Sequence, residues 1–164
     1  MATTSTVAAA ICTAAIVTAG CGGGGKAATL TKAQVIDQGT VICKTAERRA
    51  AKLAGPTAEH PFAKTAPPGA QAQARAWLVG MASALDYSRT GLAKLAAPQQ
   101  DKRLLDGYLR DIGTVVTELR DASRAPAAQA ESQANKAFGL FERASKQTAA
   151  YGFPKGVCGA GDSR

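Results

Sequence analysis

From about residue 30 onward, mostly apolar residues recur at alternating intervals of four and three positions. Residues with this spacing share one face of an α-helix, and helices that carry such a stripe pack side by side at a shallow angle. Three stripes are Ala74, Leu78, Met81, Leu85, Ser88, Leu92 and Leu95; Leu105, Tyr108, Ile112, Val115, Leu119 and Ala122, widened by Leu104 and Val116; and Ala127, Ala130, Ala134, Ala137, Phe141, Ala144, Thr148 and Tyr151. No segment alternates with the period of two that is typical of a β-strand. The sequence therefore predicts an all-α fold.

Capping residues, glycine and proline mark the ends of four predicted helices. Thr31 and Gln34 form a capping-box pattern, with Thr31 as the N-cap of the first helix. The Gly55-Pro56 pair ends that helix, and Pro98 and Pro126 mark the starts of the third and fourth helices. The connections after the second and third helices are short, which favours antiparallel neighbours. We therefore expect an antiparallel up-down four-helix bundle.

An uncharged, mostly apolar run precedes the bundle, from Val7 to Ala19. It is shorter than the roughly 20 residues that a helix needs to cross a bilayer, but it suits the hydrophobic region of a signal peptide. The run ends in Thr18-Ala19-Gly20-Cys21, which resembles the lipobox of bacterial lipoproteins. That resemblance implies cleavage before Cys21, a diacylglyceryl group on its sulfur, and anchoring of the chain to the extracytoplasmic face of the cell membrane.

The leader departs from the usual lipoprotein pattern at two places. Thr18 stands where lipoboxes carry Leu or another aliphatic residue, and residues 1–6 contain no Lys or Arg. A translation start upstream of Met1 would explain the missing charge. The glycine run 22–25 supports the leader, because it would give a lipidated cysteine a flexible tether. We therefore divide the chain into a signal peptide (1–20), a lipidated cysteine with its tether (21–30), a helical bundle (31–158) and a polar tail (159–164).

Cysteine usage predicts one disulfide. The four cysteines are Cys12, Cys21, Cys43 and Cys158. Cys12 leaves with the leader and Cys21 takes the lipid, so Cys43 and Cys158 remain in a compartment that permits disulfides. Metal binding is the alternative, but two distant cysteines and one distant histidine lack the spacing of a zinc site. The chain is rich in alanine and has only 5% aromatic residues, so its core is thin and would benefit from a covalent crosslink.

The bundle geometry indicates how these two cysteines meet. If the fourth helix runs antiparallel to the first, it ends near Thr31, and Cys43 lies about 18 Å further along the first helix. Residues 152–157 span roughly 20 Å when extended. We therefore expect the C-terminal tail to fold back along the first helix and to deliver Cys158 to Cys43.

The charge of the chain limits its partners. The formal net charge is +8, and residues 1–20 contain no charged side chain. A basic surface fits anionic lipid headgroups, anionic wall polymers or nucleic acid, and an exported location disfavours nucleic acid. Lys44, Arg48, Arg49 and Lys52 make the outer face of the first helix basic. The alternative is that these side chains form an ordinary solvated face.

No group of residues has the pattern of a catalytic, cofactor or metal site. The single histidine, His60, follows Glu59 in a proline-rich loop, where no nucleophile can be assigned to it. A ferritin-like di-iron site needs two Glu-x-x-His motifs, which one histidine cannot supply. Carboxylates of the third helix alternate with basic residues, so we interpret Asp106–Arg110, and Glu142–Lys146 on the fourth helix, as surface ion pairs.

Three aromatic residues lie on the predicted second helix or in the loop before it. Trp77 stands beside the stripe of the second helix, and we expect Phe62 and Tyr87 to be partly exposed. An aromatic cluster near the Phe62 loop would suit a ligand or a partner. The alternative is that these rings seal one end of the bundle.

The chain resembles the small, alanine-rich lipoproteins of actinobacteria whose function is unknown. The resemblance depends on the lipobox at Cys21, on Ile42-Cys43 in the first mature helix, and on the ending Ala149-Ala150-Tyr151-Gly152-Phe153 before Cys158. It implies a helical domain outside the cytoplasmic membrane, and it transfers no activity.

Three functions remain open at this point. The first is a non-enzymatic, membrane-tethered binding or interaction module, with an envelope protein or an anionic lipid or polymer as partner. The second is an envelope enzyme that uses a pair of carboxylates brought together between helices, with shifted pKa values. The third is a carrier of an apolar ligand such as a lipid, which would require an apolar cavity between the helices. The sequence leaves the oligomeric state open.

Overall fold

The structure, a computed structural model, describes residues 28–159 and contains no β-strand in that part of the chain. Its four α-helices are α1 (Lys32–Ala50), α2 (Ala70–Ala93), α3 (Gln99–Arg124) and α4 (Ala127–Tyr151). The predicted all-α fold is confirmed. The predicted signal peptide, Cys21 and the last five residues lie outside the described residues.

Contacts for three pairs of helices show that these pairs run antiparallel. Contacts that join the first part of one helix to the last part of another are Arg75 with Ser123 (α2 and α3), Lys136 with Glu118 (α4 and α3) and Lys32 with Tyr151 (α1 and α4). α3 packs extensively on both α2 and α4, and α1 packs mainly on α2. The up-down order of the bundle is therefore as expected from its short connections.

The capping box predicted for the start of α1 is present. The Thr31 hydroxyl accepts a hydrogen bond from the Gln34 main-chain N–H, and the Gln34 side chain accepts one from the Thr31 N–H. Pro98 and Pro126 are the N-caps of α3 and α4, one residue before the helices begin. A proline in that position lacks only an N–H that the helix does not use.

The first helix ends earlier than the sequence indicates. Gly55-Pro56 was expected to end it, but α1 stops at Ala50 and the chain continues in single turns. The physical reason is tertiary, because these turns place the Leu53 side chain directly over Gly80 of α2. This contact removes apolar surface of Leu53 from water, which favours the turns.

Most positions of the predicted stripes are buried, Met81, Leu85 and Phe141 are partly buried, and Leu104 departs furthest. All six positions of the α3 stripe are buried, from Leu105 to Ala122, and so is Val116. Leu104 was expected to widen this stripe, but its side chain is 38% exposed. It precedes Leu105 by one position, which rotates it about 100° away from the buried face.

The C-terminal tail fills part of the space between α1 and α4. Gly152 ends α4 in the left-handed conformation, and the Phe153 N–H bonds back to the Thr148 carbonyl. Beyond this turn the tail buries Phe153, Val157 and Cys158. α1 and α4 themselves share few close backbone contacts, so the tail is the main bridge between them.

Candidate ligand-binding cavity

The predicted disulfide joins Cys43, in the middle of α1, to Cys158 in the tail, with the two Cα atoms 5.0 Å apart. The path of the tail is also as predicted. Gly152 lies beside Ile36, and the Phe153 ring lies directly over Gly39 as the chain returns along α1. The disulfide thus closes a loop that contains nearly the whole bundle.

A second contact holds the tail against α3. The Tyr108 hydroxyl donates a 2.7 Å hydrogen bond to the main-chain carbonyl of Cys158, and both residues are buried. Cys158 has a φ of 58°, a left-handed conformation that is uncommon for a residue with a side chain. The disulfide and the Tyr108 hydrogen bond together stabilise this unfavourable backbone conformation.

A cavity of about 350 Å³, partly open to solvent, remains between the helices beside the disulfide. Its apolar walls are formed by Ala46 and Ala50 of α1, Met81, Ala84 and Leu85 of α2, and Phe138 and Phe141 of α4. Cys43, Cys158 and Gly159 close the side nearest the tail. The cavity is therefore the part of the α1–α4 gap that the tail leaves unfilled.

Small side chains explain why this space is not filled. Alanine occupies positions 46 and 50 of α1 and position 84 of α2, which face the gap. Protein interiors are normally packed as densely as organic crystals, so larger side chains are expected wherever helices enclose a core. The cavity also depends on the separation of α1 and α4, which no local pattern reveals.

Three polar residues line the cavity: Glu47, Ser88 and Tyr108. The Ser88 hydroxyl donates to the Leu85 carbonyl at 2.8 Å, and the Tyr108 hydroxyl donates to Cys158. Glu47 is exposed, so its carboxylate lies at the solvent side of the cavity. Burial, and secondarily the negative charge of Glu47, raise the pKa of Tyr108, which keeps its hydroxyl protonated.

Glu47 is the only carboxylate among the described residues that line this cavity. The envelope-enzyme hypothesis requires two carboxylates in one cavity, with shifted pKa values. Asp86 does have a lowered pKa, caused by hydrogen bonds from Arg89 and Arg120, but it lies outside the cavity. Its ion pairs are those of a structural network on α2 and α3.

His60 lies in the loop between α1 and α2, away from the cavity. Its Nδ1 is 2.8 Å from a carboxylate oxygen of Glu131 at the start of α4, and its side chain is exposed. Glu131, through this hydrogen bond and its charge, raises the pKa of His60. Among the described residues, no nucleophilic side chain is hydrogen-bonded to the imidazole. The His60–Glu131 pair joins the α1–α2 loop to α4.

Two predicted ion pairs are wrong. Neither Asp106–Arg110 nor Glu142–Lys146 comes within salt-bridge distance, although all four residues are described. At exposed helix positions the attraction between such charges barely offsets the loss of side-chain freedom, so i,i+4 spacing permits a pair without enforcing it.

Phe62 in the α1–α2 loop and Trp77 on α2 pack in different surroundings. Phe62 was expected to be partly exposed, but it is 7% exposed and packs under the guanidinium of Arg75. Trp77 packs on Phe138 with the ring centroids 5.6 Å apart. Trp77 therefore lies directly behind a wall of the cavity, since Phe138 lines it.

Of the basic residues predicted on the outer face of the first helix, Lys44 and Arg48 are exposed on α1, and Lys52 is exposed in the turn after it. Arg49 stacks on the ring of Tyr87, with its guanidinium carbon 3.7 Å from the ring centroid. The side chain of Arg48 donates to the Lys44 carbonyl and to the Thr45 hydroxyl.

Two further features bear on the predicted sites. Residues 28–159 contain no cluster of three or more histidine, cysteine, aspartate or glutamate side chains that could hold a metal ion. None of the helices in this range is both long and apolar enough to span a bilayer. The predicted lipidation site, Cys21, lies outside the described residues and stays a prediction.

The chain matches no protein-family model, no curated protein and no solved structure.

Proposed function

We propose that this chain is a lipid-anchored extracytoplasmic binding protein that holds a small apolar ligand in the cavity beside the disulfide. The observation that carries the proposal is the cavity itself, with its walls of aliphatic and aromatic side chains. Its volume of about 350 Å³ lies at the lower end of the range found for small-molecule sites, roughly 300–1,000 Å³. The proposal combines the binding-module and carrier hypotheses.

The large apolar side chains around the cavity support binding over simple packing. Met81, Leu85, Phe138 and Phe141 are each only partly buried, and each turns part of its surface towards the cavity. Apolar surface left in contact with water is unfavourable by about 25 cal/mol per Å². A ligand that covers these side chains recovers that free energy, which gives it a driving force for entry.

The rigid frame around the cavity also supports a binding site. Cys158 is fixed to α1 by the disulfide and to α3 by the Tyr108 hydrogen bond, so the wall nearest the tail is held from two sides. A preformed site does not lose much conformational entropy when the ligand binds. The cavity therefore does not need to be organised by its ligand.

The proposed location at the membrane is inferred mainly from the sequence. The lipobox at Cys21 and the glycine tether predict an anchor, and a disulfide in the bundle is typical of an oxidising compartment. The main-chain N–H of Leu30 bonds to the Ala96 carbonyl, which fixes the start of the bundle against the α2–α3 loop. The anchored end would then be the end where α1 begins and α4 ends.

Binding of a neutral naphthylamine fluorophore tests the proposed site. We expect the oxidised full chain to bind the fluorophore saturably and the Ala84→Phe variant to lose binding, because the phenyl ring occupies the cavity. Ala76→Phe is the matched control, since Ala76 is exposed on the same helix and should leave binding unchanged. Equal binding by Ala84→Phe and the parent would overturn the proposal. The proposal would also fail if the parent chain self-associates and only Ala84→Phe abolishes that association, because a second copy of the chain would then fill the cavity.

Intact-mass measurement of the membrane-extracted protein tests the address. We expect a chain that begins at Cys21, carries acyl groups and lacks the two thiol hydrogens of Cys43 and Cys158. The Cys21→Ser variant should retain its leader and lose the acyl groups. An unacylated parent chain in the cytosol with both thiols reduced would contradict the proposed address.

A further inference from the structure

We propose that the ligand of this cavity is a primary amine with an apolar tail, whose ammonium group binds at Glu47 while the tail lies between α1 and α4. This inference rests on the proposed function and adds the chemical class of the ligand. The class of ligand follows from which polar atoms of the cavity already form hydrogen bonds within the protein.

Both hydroxyl groups in the cavity wall have donated their hydrogens to the protein. Ser88 Oγ donates to the Leu85 carbonyl at 2.8 Å, and the Tyr108 hydroxyl donates to the Cys158 carbonyl at 2.7 Å. A hydroxyl has one hydrogen but two lone pairs, so each oxygen can still accept. The polar side-chain atoms left for a ligand are therefore acceptors, and they favour a ligand that donates.

The charge of the cavity lining favours one kind of hydrogen-bond donor in the ligand. Glu47 is the only charged side chain that lines the cavity, although the chain contains 20 Lys and Arg residues. Within residues 28–159 the Glu47 carboxylate has no hydrogen bond or ion pair. The Glu47 carboxylate attracts a cation and repels an anion, and solvent screening keeps both effects modest because Glu47 is exposed.

The basic residues closest along α1 form no ion pair with Glu47, although Lys44 and Arg48 border a surface depression with it. The Arg48 guanidinium is held by the Lys44 carbonyl and the Thr45 hydroxyl, and Arg49 lies on the Tyr87 ring. No Lys or Arg of the described chain lines the cavity. A fatty acid would therefore find no cation for its carboxylate there, whereas an ammonium group would find both a counter-ion and hydrogen-bond acceptors.

Three ligands of equal chain length separate these possibilities: octylamine, octanol and octanoate. The single tryptophan, Trp77, packs on Phe138 of the cavity wall, so we expect its fluorescence to change when a ligand contacts that wall. We expect octylamine to bind most tightly, octanol less tightly and octanoate least. The expected advantage of octylamine over octanol is roughly fivefold, the size of a favourable ion pair at a partly exposed site.

Charge removal at Glu47 identifies the group responsible. Glu47→Gln should reduce octylamine binding to the level of octanol and leave octanol binding unchanged. Asp37→Asn is the matched control, because it removes one carboxylate from the exposed side of the same helix and should leave all three affinities unchanged. Restoration of the octylamine preference by Glu47→Asp would further support a direct ion pair.

The outcomes distinguish failure of the inference from failure of the proposed function. If octanol or octanoate binds as tightly as octylamine and Ala84→Phe abolishes all binding, the cavity binds apolar ligands but the amine assignment is wrong. An unchanged octylamine preference in Glu47→Gln would also overturn the assignment. If none of the three ligands binds, both the proposed function and this inference fail.

Discussion

Tyr108, in the middle of α3, donates its buried hydroxyl hydrogen to the main-chain carbonyl of Cys158, over a distance of 2.7 Å. Cys158 is also the residue that the disulfide ties to α1. One residue of the tail is therefore held by two helices that pack little against each other. This arrangement sets the width of the space beside it and so connects the crosslink to the cavity.

Loss of the Tyr108 hydroxyl tests that hydrogen bond. We expect Tyr108→Phe to lower the free energy of unfolding by about 1–3 kcal/mol, because the buried Cys158 carbonyl loses its partner. Tyr151→Phe is the matched control, since the Tyr151 hydroxyl is buried without a partner among residues 28–159. Its removal should leave stability unchanged or raise it, because a buried hydroxyl without a partner carries a desolvation cost. Urea denaturation measures both, and equal effects would contradict the role assigned to Tyr108.

The disulfide should be the largest single contribution to stability. Cys43 and Cys158 are separated by 115 positions, and a crosslink over so long a loop stabilises by up to roughly 4–5 kcal/mol on the loop-entropy model. We expect Cys43→Ala to melt well below the parent without reductant and to match the reduced parent. A melting temperature equal to that of the oxidised parent would show that the crosslink does not stabilise the fold.

Two glycine substitutions should act in opposite directions. A Cβ at Gly39 would lie 2.6 Å from the Phe153 ring, so Gly39→Ala should displace the tail and cost about 1–3 kcal/mol. A Cβ at Gly139, within α4, would meet nothing within 4 Å. Gly139→Ala should therefore stabilise by about 0.5–1 kcal/mol, because alanine favours the helix. Chemical denaturation of the two variants checks the sign of each effect, and destabilisation by both would contradict the open space at Gly139.

The pH dependence of the His60–Glu131 pair follows from its pKa shift. The hydrogen bond from Glu131, and then its charge, raise the pKa of His60 above the ordinary value of 6.5. A raised folded-state pKa stabilises the fold fully below the unfolded-state pKa, and that stabilisation is lost as pH rises through the folded-state pKa. The chain has one histidine, so its imidazole NMR signals are unambiguous.

Substitution of the two neighbouring glutamates separates their effects on His60. Glu131→Gln should return the pKa of His60 close to its ordinary value, and Glu59→Gln should preserve most of the shift, since Glu59 is the weakest cause. An imidazole that titrates identically in Glu131→Gln and the parent would show that the pair does not form in solution.

The helices were predictable because their stripes combine large buried residues with strong end signals. On α3, a run of Leu, Tyr, Ile and Val at alternating spacing leaves one buried face, and prolines bracket the helix. The disulfide was predictable because only two cysteines remained after the leader and the anchor were assigned. Both inferences use information that is local or countable.

The remaining features depend on tertiary packing. The end of α1 is set by Leu53 packing on Gly80, and Gly55-Pro56 lies several residues further along. The cavity could not be predicted, because it depends on the separation of α1 and α4 that the folded tail imposes. Glu47 has the sequence context of an ordinary surface residue, and only its place beside the cavity distinguishes it.

The central claim is that the space beside the disulfide binds a ligand, and Met81 provides its most direct test. The chain has two methionines, Met1 in the proposed leader and Met81 in the cavity wall. With isotope-labelled methionine methyl groups in the oxidised chain, loss of a signal in Met81→Leu assigns the Met81 methyl group. We predict that octylamine shifts the Met81 signal saturably. A Met81 signal that does not move at any octylamine concentration below micelle formation would contradict the account.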